Sequence, residues 1–148
     1  MDLKYNAMRP TDPANTAQIS TGNPIAYQEV TAEMFNGNKT IMVGETEKTV
    51  TFASLAVSTS ISMKNLKVQS IYTTTNPDAS DTGAMTLTCT VDGQTVYVRT
   101  GVLKDASGNL ITEEYFEGKT IDIQGIVDYY EGNYQIKAYT LSDFNIHE

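Results

Sequence analysis

Asp92-Gly93 stands between two runs of alternating apolar and polar residues, and no other dipeptide in the chain constrains its folding as tightly. A type I′ turn needs positive φ at both central positions, which Asp and Gly accept, and a two-residue loop of that type fixes the register of the strands it joins. Counting outward, Cys89 faces Val96 and Leu87 faces Val98 on one side, whereas Thr88 faces Tyr97 and Thr86 faces Arg99 on the other. One face is therefore core. The other is a threonine-lined surface carrying one aromatic ring and one guanidinium.

A lone hairpin is marginal in water, so this one needs further strands. Residues 58–72 supply one: Met63, Leu66 and Val68 form an apolar face with Lys67 and Gln69 opposite, and then the phase slips so that Ile71 rather than Ser70 is apolar. Such a slip predicts a β-bulge in a long, bent strand. Residues 119–146 supply two more, 120–130 and 134–146, joined by Glu131-Gly132-Asn133. Ile121 and Ile123 oppose Asp122 and Gln124, Gly125 marks a corner, and Leu141, Phe144 and Ile146 continue the last strand toward the end of the chain. Between the third and fourth strands lie the turn Asp105-Ala-Ser-Gly108 and a short helix carrying Ile111, Tyr115 and Phe116 on one side, capped by Thr112 and ended by Gly118.

The first 57 residues are less patterned. Residues 1–23, with Pro10, Pro13 and Gly22, read as an extended arm or linker. Ile25, Tyr27 and Val30 suggest a short strand, and Thr31 caps a helical turn. Residues 40–43 and 49–55 then read as two short strands around an exposed turn at 44–47. Residues 1–57 are thus expected to be an arm with short strands that packs on the rest, or the remnant of a preceding module, and residues 58–148 a single domain. Laid along a sheet edge as an extra strand, the arm would cover exposed backbone groups.

From residue 58 the order strand, strand, strand, helix, strand, strand resembles that of the OB (oligonucleotide/oligosaccharide-binding) fold, a five-stranded Greek-key barrel whose first strand is long and curved. The segment GKTIDIQGIVDYYEGNYQIKAYTLSDFNI is also similar to the last two strands of OB-type domains in exported and surface proteins of gut Bacteroidetes. Gly118, Lys119, Gly125, Tyr130, Gly132, Tyr134, Gln135, Ile136 and Asp143 carry that likeness, which spans about the last 90 residues. It implies a mainly β fold with the helix as a plug at one end. It also implies an extracellular, cell-surface or periplasmic location, as a lipoprotein or as a module of a larger secreted protein.

Composition narrows the functions open to such a barrel. The net charge is −8, and from Ile61 onward six basic residues stand against twelve acidic ones, the reverse of a surface built for phosphates. The single cysteine, Cys89, falls on an inward strand position and the single histidine is penultimate, so no Ser-His, Cys-His or Cys-cluster metal constellation can be assembled. The polar loop 73–83 holds Asn76, Asp78, Ser80 and Asp81, but not with the every-second-residue spacing and sixth-position Gly of a calcium loop. No enzymatic activity, metal or cofactor is expected. No apolar run reaches membrane-span length, and the start MDLKYNAMRP lacks a signal-peptide core, so an exported parent would carry its leader outside this chain.

OB domains use the face of their first three strands, flanked by the loops after strands one and four. On this chain the resemblance places Lys67, Gln69, Tyr72, Thr86, Thr88, Tyr97 and Arg99 there, with Asn76, Tyr130 and Tyr134 from the loops. Rings beside a few cations stack unpaired bases or sugars. The expected function is a non-enzymatic binding module for single-stranded nucleic acid, or alternatively an oligosaccharide-binding or protein-contact module serving other domains of a surface protein.

Overall fold

The computed structural model describes residues 2–4, 7–9, 14, 17 and 19–147. Strands β1 (Asp2–Lys4) and β2 (Ala7–Arg9) pair as a small antiparallel ribbon within the stretch expected to be an arm. The chain continues through β3 (Gln28–Glu29), α1 (Ala32–Asn36), β4 (Asn38–Val43), β5 (Thr46–Thr51), α2 (Phe52–Leu55), β6 (Ser60–Thr73), β7 (Met85–Val91) and β8 (Gln94–Thr100). After a 3-10 turn at Glu113–Tyr115 come β9 (Thr120–Tyr130), β10 (Asn133–Ala138), a second 3-10 turn at Leu141–Asp143 and β11 (Phe144–His147).

Strands β6, β7, β8, β10 and β9 are hydrogen-bonded in that order, and β9 returns to β6, so five strands close a barrel. β8 and β10 run parallel and the other barrel pairs antiparallel, which is the OB arrangement. The length and bending of β6 make the closure possible. Its first half pairs with β9 and its second half with β7, and its register shifts between Val68 and Ser70, where the sequence phase slips. A second shift, between Met63 and Leu66 against β9, centres on Asn65, whose φ is 60°. Val68 and Leu66 are buried while Lys67 and Gln69 are exposed, so the bulges turn the strand without moving its core face.

The Asp92-Gly93 turn has φ 49° and 73°, and all four cross-strand pairs expected from it are present. Glu131 and Gly132, at φ 47° and 90°, make the equivalent two-residue turn between β9 and β10. Asn133 therefore begins β10 rather than belonging to the turn.

Three expectations change. Phe52–Leu55 is helical, with Thr51 Oγ1 accepting from Ser54 N at 3.1 Å, so the strand before it ends at Thr51. The final strand is broken: Asp143 Oδ2 accepts the backbone N–H groups of Tyr139 and Thr140, both at 2.9 Å, and this capping box interrupts the strand before the chain resumes in the same direction. β11 then lies antiparallel along the half of β9 that β10 leaves free. Between the third and fourth barrel strands the plug is a single 3-10 turn that Thr112 does not cap through its side chain. The seal comes from Phe116 and Leu103, both fully buried, with the Phe116 ring 4.9 Å from that of Phe144.

Ahead of the barrel, Thr31 caps α1 as expected, its Oγ1 accepting from Met34 N at 3.1 Å. α1 packs on α2 and on β8. Val30, Ala32, Phe35, Ala53 and Ala56 belong to the same buried apolar cluster as the barrel's inward residues. The segment that lies parallel along β6 is β3, at Ile61 and Ser62.

Candidate functional site

The barrel's outer surface holds a cleft of about 740 Å³. Its floor follows from strand register. One cross-strand row runs Tyr72, Thr86, Arg99, Lys137, and the next runs Ser70, Thr88, Tyr97, Gln135, Asp128. Because β10 lies parallel beside β8, residues distant in sequence become neighbours, and Lys137 sits against Arg99. Loop 74–84, through Thr74, Asn76, Ala79 and Asp81, makes one wall, and Tyr130, Glu131 and Asn133 at the β9–β10 turn make the other.

Of the ten residues singled out from the sequence, Tyr72, Asn76, Thr86, Tyr97, Arg99 and Tyr130 line this cleft. Thr88 pairs with Tyr97 in the floor without lining the cleft. Lys67 and Gln69 lie outside it, Lys67 before the Val68/Ser70 shift and Gln69 within it: Lys67 Nζ donates to Gly118 O and Gln69 Nε2 donates to Thr90 Oγ1 at 2.8 Å. Gln69 instead lines a separate hollow of about 270 Å³ with Glu113 and Glu117. Tyr134 has the parity of buried Ile136, so it packs against the core, its ring 5.0 Å from that of Tyr129.

Arg99 does not present a free guanidinium. Its Nη1 donates to Thr86 Oγ1 at 3.0 Å, and its Nη2 donates to Thr74 Oγ1 at 2.8 Å and is paired with the Asp81 carboxylate. With the side chain only 15 % exposed, Arg99 clamps loop 74–84 to the floor. Across the cleft, Glu131 against the Tyr130 hydroxyl holds that phenol above its ordinary pKa; Asp81 pushes the same way and Arg99 the other. Asp128 Oδ2 accepts from Gln135 Nε2 at 2.9 Å.

Besides Thr74, Ala79, Glu131 and Asn133, sequence reasoning missed four cleft residues: Asp81, Asp128, Gln135 and Lys137. The signal for the last two was present, since Gln135 and Lys137 alternate with buried Ile136 and Ala138 on a strand that an OB barrel places beside β8. Asp128 needed the β9–β10 register and Asp81 the loop geometry.

The other reactive groups lie outside the cleft. Cys89 is fully buried, and burial pushes its thiol up to about 12. His147 Nε2 is 2.8 Å from Asp122 Oδ1, on the β9–β11 side of the barrel. Among the described residues no three His, Cys, Asp or Glu side chains converge as a metal site requires, and no helix is long and apolar enough to cross a membrane.

Comparison with protein-family models and with curated protein sequences finds no match to this chain.

Proposed function

We propose that this chain is a non-catalytic binding module that takes an oligosaccharide across the cleft between loop 74–84 and the β9–β10 turn. The observation that carries the reading is the pairing of three tyrosines with planar hydrogen-bonding groups around a guanidinium already claimed by Asp81. Tyr72 and Tyr130 stand well exposed, and Tyr97 lies between them on the floor. Phenol rings offer flat apolar faces to sugar C–H surfaces, while the exposed amides of Asn76 and Asn133 provide donors and acceptors for neighbouring hydroxyls.

The expected nucleic-acid ligand fares worse on charge. Single-strand binders run a positively charged groove along the backbone. Here Arg99 and Lys137 are set against Asp81, Asp128 and Glu131, on a chain of net charge −8. Catalysis has little support, because neither histidine nor cysteine reaches the cleft and each of its carboxylates is held by a neighbour. The likeness of residues 118–146 to OB-type domains of gut Bacteroidetes supports an exported setting, as one module of a surface protein that captures glycans.

Titration against a panel of neutral and acidic oligosaccharides, alongside labelled single-stranded oligonucleotides at low salt, tests the reading. Glycan binding is expected, with Tyr72→Ala and Tyr97→Ala each weakening it about fivefold, as a ring contact of about 1 kcal/mol implies. Oligonucleotide binding that outcompetes every glycan would overturn it, as would glycan affinity indifferent to both substitutions.

A further inference from the structure

Lys137 is the cleft's uncommitted cation. The ion pairs among the described residues are Lys64 with Glu29, Arg99 with Asp81, and His147 with Asp122, so no described carboxylate reaches Lys137. Its ammonium lies over the Tyr139 ring, 5.6 Å from Nζ to centroid. Strand pairing places it directly beside Arg99, and Gln135, two residues earlier, faces the same cleft. The carboxylates are differently disposed. Asp81 is spent on Arg99, Asp128 on Gln135, and Glu131 on the Tyr130 hydroxyl.

We infer that Lys137 is a subsite for one carboxylate of the bound sugar, so that the ligand is a uronate-bearing oligosaccharide. The inference rests on the saccharide reading above and narrows it. An ammonium is a compact charge with three rotatable donors, suited to a single anionic group whose orientation the neighbouring rings set. A carboxylate placed there makes charge-assisted hydrogen bonds, and it adds to a cation pair rather than breaking the Arg99 clamp. A phosphate on every unit would instead bring repeated charge against Asp128 and Glu131. One acidic group in a run of hydroxyl-rich rings fits both the free lysine and the occupied acids.

The test compares neutral oligosaccharides bearing a single galacturonate, and short oligosaccharides of glucuronate and N-acetylglucosamine with one carboxylate each, with their carboxyl-reduced counterparts by calorimetry. A sulfated neutral oligosaccharide is a third arm, separating carboxylate from sulfate as the source of charge. Wild-type protein is expected to bind an acidic form about tenfold more tightly than its reduced form, with the gap shrinking at high salt. Lys137→Gln is expected to bring the acidic form down to the affinity of the reduced one, and Lys137→Arg to keep the preference. Equal affinity for acidic and reduced forms would overturn the inference and leave the saccharide reading standing. So would a preference that survives Lys137→Gln, or one met better by the sulfated arm. Binding of no member of either series would overturn both.

Discussion

At the scale of single residues, Gly125 is where the barrel closes. A Cβ there would lie 2.5 Å from Lys137 O and 2.9 Å from Ile136 Cγ2, so even a methyl group collides with the backbone of the neighbouring strand. Paired strands cannot yield as a flexible side chain would, and Gly125→Ala is expected to cost about 3 kcal/mol in urea unfolding. A cost near zero would mean that β9 and β10 are not held this close. Asp122 does a related job at the second bulge. Burial alone would raise its pKa, but hydrogen bonds from Asn65 N–H and the Asn145 amide, together with the close approach of the His147 ring, outweigh that and leave it lowered. A carboxyl whose folded pKa lies below its ordinary value of about 3.9 contributes fully above that pH and loses its contribution as pH falls through the folded value. Asp122→Asn should thus be less stable than wild type at neutral pH, with the two stability curves converging in the acid limb. Curves that stay parallel would contradict this.

At the scale of elements, what could be read in advance was what short-range chemistry decides. The Asp92-Gly93 turn fixed four cross-strand pairs because its geometry admits one register. The slip at Ser70 announced a bulge because alternation has period two. Phe52–Leu55 was misread because one turn of helix is too short for periodicity to distinguish from a strand. The break before β11 was missed although Thr140 and Asp143 stand at capping-box spacing, because Leu141, Phe144 and Ile146 keep enough apolar rhythm to imitate a continuing strand. The β4–β5 hairpin is the element least supported by the rest. Among the described residues its strands pair only with each other, and Met42 and Val43 are 60 % and 50 % exposed. A two-stranded ribbon with so little cover is marginal. Amide exchange is expected to run at least about tenfold faster across residues 38–51 than across β7 and β8. Equal protection would mean that the hairpin shares the barrel's cooperative unit.

At the scale of the molecule, closure produces the site. Only when β10 slides in parallel beside β8 do Gln135 and Lys137 join Tyr97 and Arg99, and only when β9 curls back do Tyr130 and Asp128 face Tyr72 across the floor. This is why six of the ten candidate residues were legible and their partners were not: local alternation tells which side a residue faces, and topology tells what it faces. Arg99 illustrates the difference, since its strand position was right while its partner, Asp81, comes from a loop with no periodic signal. The acidic chain and the clamped guanidinium are what the saccharide reading we propose rests on.

The most direct test of this account is backbone amide chemical-shift mapping while the tightest-binding oligosaccharide of the panel is titrated in. Shifts are predicted to concentrate on Tyr72, Thr86, Tyr97, Gln135 and Lys137, on loop 74–84 and on residues 130–133. Shifts gathered instead on the β4–β5 hairpin or beside Asp122, with those positions unmoved, would contradict it.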